Sequence, residues 1–151
     1  MLRSAFRAVL AMCVVATGAA KAQQYDPGAS ATEIRLGQTM PYSGPVSVAG
    51  AVGHASLAYF DAVNKAGGIN GRQVKLLSLD DGYIPPKTVE ATRRLVEDEN
   101  VLMLYGSVGT PTNAAVEKYL NLKKVPQDVP VDHGVPARLH PGRPGDGTIR
   151  P

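Results

Sequence analysis

The chain has 151 residues, of which 44% are hydrophobic, 5% aromatic and 19% charged, with one cysteine and no tryptophan. This length allows one modest domain or half of a two-lobed protein, and the apolar fraction is too high for a wholly disordered chain. A single cysteine excludes a disulfide framework and a zinc site of the multi-cysteine kind. The net charge of +3 does not indicate a nucleic-acid-binding protein, because the positive excess lies entirely in the first 22 residues.

Those first 22 residues have the features of a secretory signal peptide. They contain no acidic residue and three basic ones, Arg3, Arg7 and Lys21, so the rest of the chain has 13 residues of each sign. An apolar run over 8–16 is too short to span a bilayer, and small residues flank Lys21 as they do at a cleavage site. We predict a cleaved signal over 1–22, the loss of Cys13 with it, and a periplasmic mature protein; the alternative is an N-terminal amphipathic or buried helix.

After a polar lead-in over 23–32, the sequence alternates between strand and helix patterns. Short apolar runs bounded by proline or glycine indicate strands. Segments with apolar residues at helical spacing that begin at a proline or end at a glycine indicate helices. The predicted elements are a strand over 34–40, a helix over 48–66, a strand over 74–79, a helix over 85–100, a strand over 101–105, a helix over 113–122 and a fourth strand from Val125. This order predicts an α/β fold, a parallel sheet with flanking helices.

The loop over 106–110 lies between a predicted buried strand and a predicted helix, where an anion can bind. Backbone N–H groups and the positive end of the helix would face a carboxylate or phosphate. The loop lacks the spacing of nucleotide-binding motifs, and Tyr105 stands where a hydrolase nucleophile elbow has its first glycine. The same residues also fit helix capping, with Thr110 as N-cap and Pro111 at the first helical position, so capping and ligand contact both remain open.

Asp80 and Asp81 follow the second predicted strand, where carboxylates can bind a metal or take part in acid–base chemistry. We expect them instead to cap the loop or the next helix. His54 is placed on a helix, and His133 and His140 in a proline-rich stretch, so we predict no metal site and no cofactor. A nucleophile–base pair is not recognisable, and the protein is not expected to be an enzyme.

Five segments occur in the order and spacing of one family. They cover residues 34–45, 60–72, 80–88, 106–114 and 123–127. On these residues, the stretch 33–127 resembles the N-terminal lobe of the leucine/isoleucine/valine-type periplasmic binding proteins, the solute receptors of ABC importers. In that family two α/β lobes close around a solute and pass it to an inner-membrane permease, so the resemblance implies an incomplete lobe of a type I periplasmic-binding-protein fold.

The resemblance also implies a set of ligand-binding residues. Thr110 matches the position whose hydroxyl and nearby N–H groups hold the carboxylate of the solute. The other expected contacts lie along the same wall or on the loop facing it: Tyr42, Ser43, Ser107, Gly109 and Thr112. Ala49 stands where amino-acid binders of the family often have an aromatic residue, so an aromatic acid is as good a candidate solute as an amino acid.

After Gln127 the sequence leaves the pattern of the family. Six of the twelve prolines lie between residue 126 and the end, and we predict a disordered tail over 128–151. A one-base change of reading frame near Asp128 would restore an apolar strand and a Ser/Thr loop, so we expect a truncated lobe that binds its solute weakly or not at all. Two other functions remain open, a ligand-sensing regulatory domain with a protein partner and a small exported α/β enzyme.

Overall fold

The computed structural model describes residues 25–128. The predictions of a signal peptide over 1–22 and a disordered tail lie outside the described residues, except for Asp128, and so do those for Cys13, His133 and His140. Within the described part, no helix is long and apolar enough to cross a membrane.

Three parallel strands form the sheet, in the order β2-β1-β3. The strands are β1 (Glu33–Met40), β2 (Gln73–Asp80) and β3 (Met103–Leu104), and the helices are α1 (Gly50–Lys65), α2 (Pro85–Arg93) and α3 (Thr110–Lys123). A short 3-10 helix, Ser47–Ala49, precedes α1, and a π-helical turn, Arg94–Asp98, extends α2. The predicted α/β class and parallel sheet are therefore confirmed.

Pairing in the sheet runs without a bulge. The eight residues of β1 pair one for one with β2, from Glu33 opposite Gln73 to Met40 opposite Asp80. Strand β3 is shorter than the predicted strand over 101–105, although the Tyr105 N–H still bonds to a carbonyl of β1. On the outer side of β3, the Leu104 N–H donates to the Pro126 carbonyl at 2.9 Å. After α3 the chain therefore returns to the sheet beside β3, where the sequence predicts that a fourth strand begins.

Apolar side chains cover both faces of the sheet. The central strand β1 is therefore buried from Leu36 to Met40. One cluster lies under α2 and α3 and consists of Leu95, Val101, Leu104, Val116 and Leu120. The other lies under α1 and consists of Leu36, Phe60 and Val74. Because all three strands are parallel, their carboxyl ends lie at one edge of this covered sheet.

Helix α1 buries a different face from the one its apolar spacing indicates. Val52 and Tyr59, on the apolar stripe of the sequence, are 37% and 61% exposed. Gly50, Gly53 and Phe60 are the buried residues instead. The reason is steric, since a Cβ built on Gly53 would lie 2.8 Å from both Met40 Cγ and Tyr42 Cζ, so glycine there lets the helix approach β1 and the Tyr42 ring.

Candidate functional site

The loops that follow the three strands meet at the carboxyl edge of the sheet. Ser43, in the loop after β1, contacts the loop after β2, since its Oγ is 3.3 Å from a Cβ built on Gly82. The ring of Tyr83, in that second loop, contacts Gly109 in the loop after β3, with Cε2 at 2.6 Å from a built Cβ. Three segments distant in sequence thus form one continuous surface.

Asp80 fixes the loop after β1 to the end of β2. Its carboxylate accepts hydrogen bonds from the Ser43 N–H at 3.0 Å, the Ser43 hydroxyl at 2.5 Å and the Gly82 N–H at 3.0 Å. The Ser43 hydroxyl, together with these backbone groups, lowers the pKa of Asp80 below its ordinary value. Asp80 is therefore an ionised anchor for the loop.

Asp81 is buried and fixes the loop after β2 to helix α2. Its carboxylate accepts hydrogen bonds from the Tyr83 N–H and from the Thr88 hydroxyl, both at 2.9 Å. The expected structural role of Asp80 and Asp81 in the loop is confirmed, whereas neither caps α2, whose N-cap is Ile84 without a side-chain hydrogen bond. Among the described residues, no group of three or more metal-binding side chains comes together.

Tyr42 lies under the loop surface and connects it to the sheet. Its hydroxyl hydrogen bonds with the Ser78 hydroxyl at 2.6 Å, and its ring is 4.9 Å from that of His54 between centroids. The chain of hydrogen bonds continues from Ser78 to the buried Gln38 side chain, whose amide donates to the Gly106 carbonyl at 3.2 Å. Tyr42 and the loop after β3 therefore belong to one polar network.

Helix α3 begins one residue earlier than capping by Thr110 requires. The N-cap is Gly109, with φ 116° and ψ 126°, and Thr110 is the first helical residue. The prediction of Thr110 as N-cap and Pro111 at the first position is wrong, because the chain turns into the helix through a backbone conformation that only glycine adopts readily. No side chain caps the N–H groups of this helix start. The Asn113 amide instead donates to the Gly109 carbonyl at 2.7 Å and so fixes the N-cap residue to the helix.

The structure divides the six predicted ligand-binding residues into two groups. Thr110 and Ser43 are exposed at the edge, and Tyr42 is half-buried below it. Ser107, Gly109 and Thr112 are buried. The Ser107 hydroxyl accepts from the Thr39 N–H at 3.1 Å, and the Thr112 hydroxyl lies 2.9 Å from the Gly109 carbonyl, to which it donates. The buried hydroxyls thus shape the loop, whereas Thr110 and Ser43 lie at the exposed edge, where the Ser43 hydroxyl donates to Asp80.

The first turn of α3 has a positive potential at its own end of the helix. The helix has 14 residues, and its first turn contains no acidic side chain. N–H groups at a helix start lack intrahelical partners, and the helix dipole is positive there, so the arrangement favours a bound anion.

Tyr83 is a residue of this surface that the sequence did not single out. It is a non-glycine residue with a positive φ, 64°, and it is half-buried. The sequence marked this segment only as following the second strand. The position of the ring, however, depends on its contact with Gly109, which is 26 residues away.

The sequence pattern of the periplasmic binding protein family matches residues 33–142. The chain belongs to the periplasmic binding protein family. The matched range includes all three strands and the loops at their carboxyl ends. Among curated proteins, no match was found.

Solved structures with this fold come from several bacteria. A possible leucine/isoleucine/valine-binding protein from Rhodopirellula baltica is 33% identical with a TM-score of 0.60, and the match covers 64% of this chain and 27% of that one. A substrate-binding periplasmic protein from Ralstonia solanacearum is 31% identical, with a TM-score of 0.61 and coverage of 64% and 28%. A fatty acid ABC transporter substrate-binding protein from Thermomonospora curvata is 27% identical, with a TM-score of 0.59 and coverage of 68% and 27%. The match therefore spans little more than a quarter of each relative.

Proposed function

We propose that this chain supplies the N-terminal lobe of an exported, non-enzymatic solute receptor of an ABC importer, with a small carboxylate as its solute. The observation that carries the proposal is the convergence of three strand-end loops on the first turn of α3, in a chain of the periplasmic binding protein family. Thr110 is exposed in the first turn of α3, at the positive end of that helix, and Ser43 is exposed on the loop after β1.

A carboxylate is the solute class that the surface and the relatives both favour. The relatives named above include a possible binder of branched-chain amino acids and a receptor for fatty acids, and these solutes share a carboxylate group. Thr110 is the residue assigned to hold it, with Ser107, Gly109 and Thr112 shaping the loop and Tyr42 and Ser43 completing the facing side. The solute is an amino acid or an aromatic acid, the partner is an inner-membrane permease, and the location is the periplasm.

Binding to this surface alone is expected to be weak. Small-molecule sites usually bury most of the ligand in a concave pocket. The described residues supply one wall, on which Thr110 and Ser43 remain open to water. Water competes for the hydrogen bonds that a ligand makes on such a wall. The wall can therefore recognise the carboxylate, but desolvation adds little to the binding free energy.

The test is ligand-observed NMR with the full 151-residue chain. The probes are benzoate and isoleucine, each compared with its amide, which lacks the charged group. We expect both carboxylates to bind more tightly than their amides, and Thr110→Val to weaken carboxylate binding about three- to tenfold. Thr32→Val is the matched control, because Thr32 is an exposed threonine at the opposite edge of the sheet. Equal binding of acids and amides, or equal effects of the two variants, would contradict the proposal.

A further inference from the structure

We infer that Tyr83 is a specificity-determining residue that makes the site prefer an aromatic over a saturated carboxylate of the same size; this inference rests on the proposed function. The observation behind it is a conformational constraint. Gly82 and Tyr83 are consecutive residues with positive φ, 58° and 64°. This left-handed conformation is unfavourable for a side chain as large as tyrosine, so it persists only where the surroundings fix it.

The surroundings do fix Tyr83. Its N–H donates to Asp81 Oδ1 at 2.9 Å, and the Ile84 N–H donates to the Asp81 carbonyl at 3.0 Å. Asp81 is itself fully buried and receives the Thr88 hydroxyl at 2.9 Å. Helix α2 therefore anchors the turn, and the ring lies against Gly109 at the start of α3.

A second constraint, in the loop after β3, makes room for the Tyr83 ring. A Cβ built on Gly109 would be 2.6 Å from Tyr83 Cε2 and 3.2 Å from Cδ2. The ring edge thus occupies the space that any other residue at position 109 would fill. Because Gly109 also has a positive φ, 116°, two unusual backbone positions bring one aromatic ring against the N-cap of α3.

The ring is placed beside the expected position of the carboxylate. Gly109 immediately precedes Thr110, whose hydroxyl and neighbouring N–H groups are assigned to the carboxylate, and Tyr83 is only half-buried. A carboxylate on the first turn of α3 brings the group attached to it close to the open part of the ring. Aromatic pairs have favourable stacked and edge-to-face arrangements in addition to their buried area, which a saturated ring lacks.

The test compares benzoate with cyclohexanecarboxylate, which share the carboxylate and the six-membered ring. Dissociation constants are measured by ligand-observed NMR for the full chain, Tyr83→Phe and Tyr83→Asn. Asparagine tolerates the left-handed conformation, so this variant removes the ring without adding strain. We expect the wild type and Tyr83→Phe to bind benzoate more tightly than cyclohexanecarboxylate. In Tyr83→Asn the ratio of the two dissociation constants should move towards one by about three- to tenfold.

The possible outcomes separate the two proposals. If Tyr83→Asn binds both acids more weakly by the same factor, or binds both as the wild type does, the preference is unchanged and Tyr83 only supports the loop. This result overturns the inference and leaves the proposed function intact. Failure of the wild type to bind either acid overturns both. A measurement that needs no variant is the intermolecular NOE between benzoate and tyrosine ring protons in the wild type. We expect this NOE at Tyr83, and its absence there while benzoate is bound contradicts the inference.

Discussion

Replacing Gly109 by alanine tests the packing of the loop after β3 against Tyr83. The new Cβ would be 2.5 Å from the Thr112 hydroxyl and 2.6 Å from the Tyr83 ring. The hydroxyl is buried and hydrogen bonded within the loop, so neither group can move at low cost. Gly67→Ala is a matched control, because Gly67 also has a positive φ, 104°, but a Cβ there meets no atom within 4 Å.

The two substitutions share one energetic cost and differ in another. A left-handed conformation costs an alanine about 1–2 kcal/mol relative to glycine in both variants. Overpacking adds about 1–3 kcal/mol at position 109 only. The free energy of unfolding should therefore fall by about 1–3 kcal/mol more for Gly109→Ala than for Gly67→Ala.

Urea unfolding of the full chain, followed by far-UV circular dichroism, measures this difference. With a slope of about 1 kcal/mol/M, the midpoint of Gly109→Ala should lie about 1–3 M below that of Gly67→Ala. If wild-type stability is smaller than the total loss, Gly109→Ala is unfolded without urea while Gly67→Ala keeps a transition. Equal midpoints for the two variants would refute the contact between Gly109 and Tyr83.

Three further predictions concern the core and the ionisable groups. Leu104→Ala should lower the free energy of unfolding by about 2–5 kcal/mol, since Leu104 is 1% exposed, whereas Leu122→Ala, at 79% exposed, should change it by less than about 0.5 kcal/mol; similar urea midpoints for the two would contradict this. Because the folded state lowers the pKa of Asp80, its ionised form stabilises the fold above about pH 4 and this contribution is lost as the pH falls. Ser43→Ala should raise that pKa in a carboxyl carbon NMR titration, and an unchanged pKa would rule out the assigned hydrogen bond. Burial and a hydrogen bond to Glu97 raise the pKa of Tyr119 to about 12, so the linked stability is intact below about pH 10 and is lost progressively as the pH rises to about 12. The absorbance difference between wild type and Tyr119→Phe should show ionisation near pH 12, and ionisation near pH 10 would contradict this.

The sequence predicted the elements and their order because local patterns determine them. The strand ending at Pro41 and the helix opened by Pro85 are marked by residues that act on their own backbone. The short extent of β3 was not predictable in this way. Its pairing depends on which residues of β1 face it, and in the structure only Leu36 and Gly37 do.

The positions that the sequence did not predict depend on contacts between distant loops. Apolar spacing placed Tyr59 on the stripe of α1, yet Phe60 is buried at 7% exposure because glycines let the helix approach the sheet on that side. Gly109, not Thr110, is the N-cap of α3, and the ring of Tyr83 lies where a side chain at position 109 would be. Hydrophobic periodicity carries no information on such close approaches.

The central claim is that a carboxylate binds where the three strand-end loops meet the first turn of α3. The most direct measurement is a titration of the ¹⁵N-labelled full chain with benzoate, following every backbone amide signal. We predict saturable shifts of the amides of Ser43, Tyr83, Gly109 and Thr110, with little change at Thr32 and Gly71 on the opposite edge. Shifts that do not saturate, or that are as large at Thr32 and Gly71, would contradict the account.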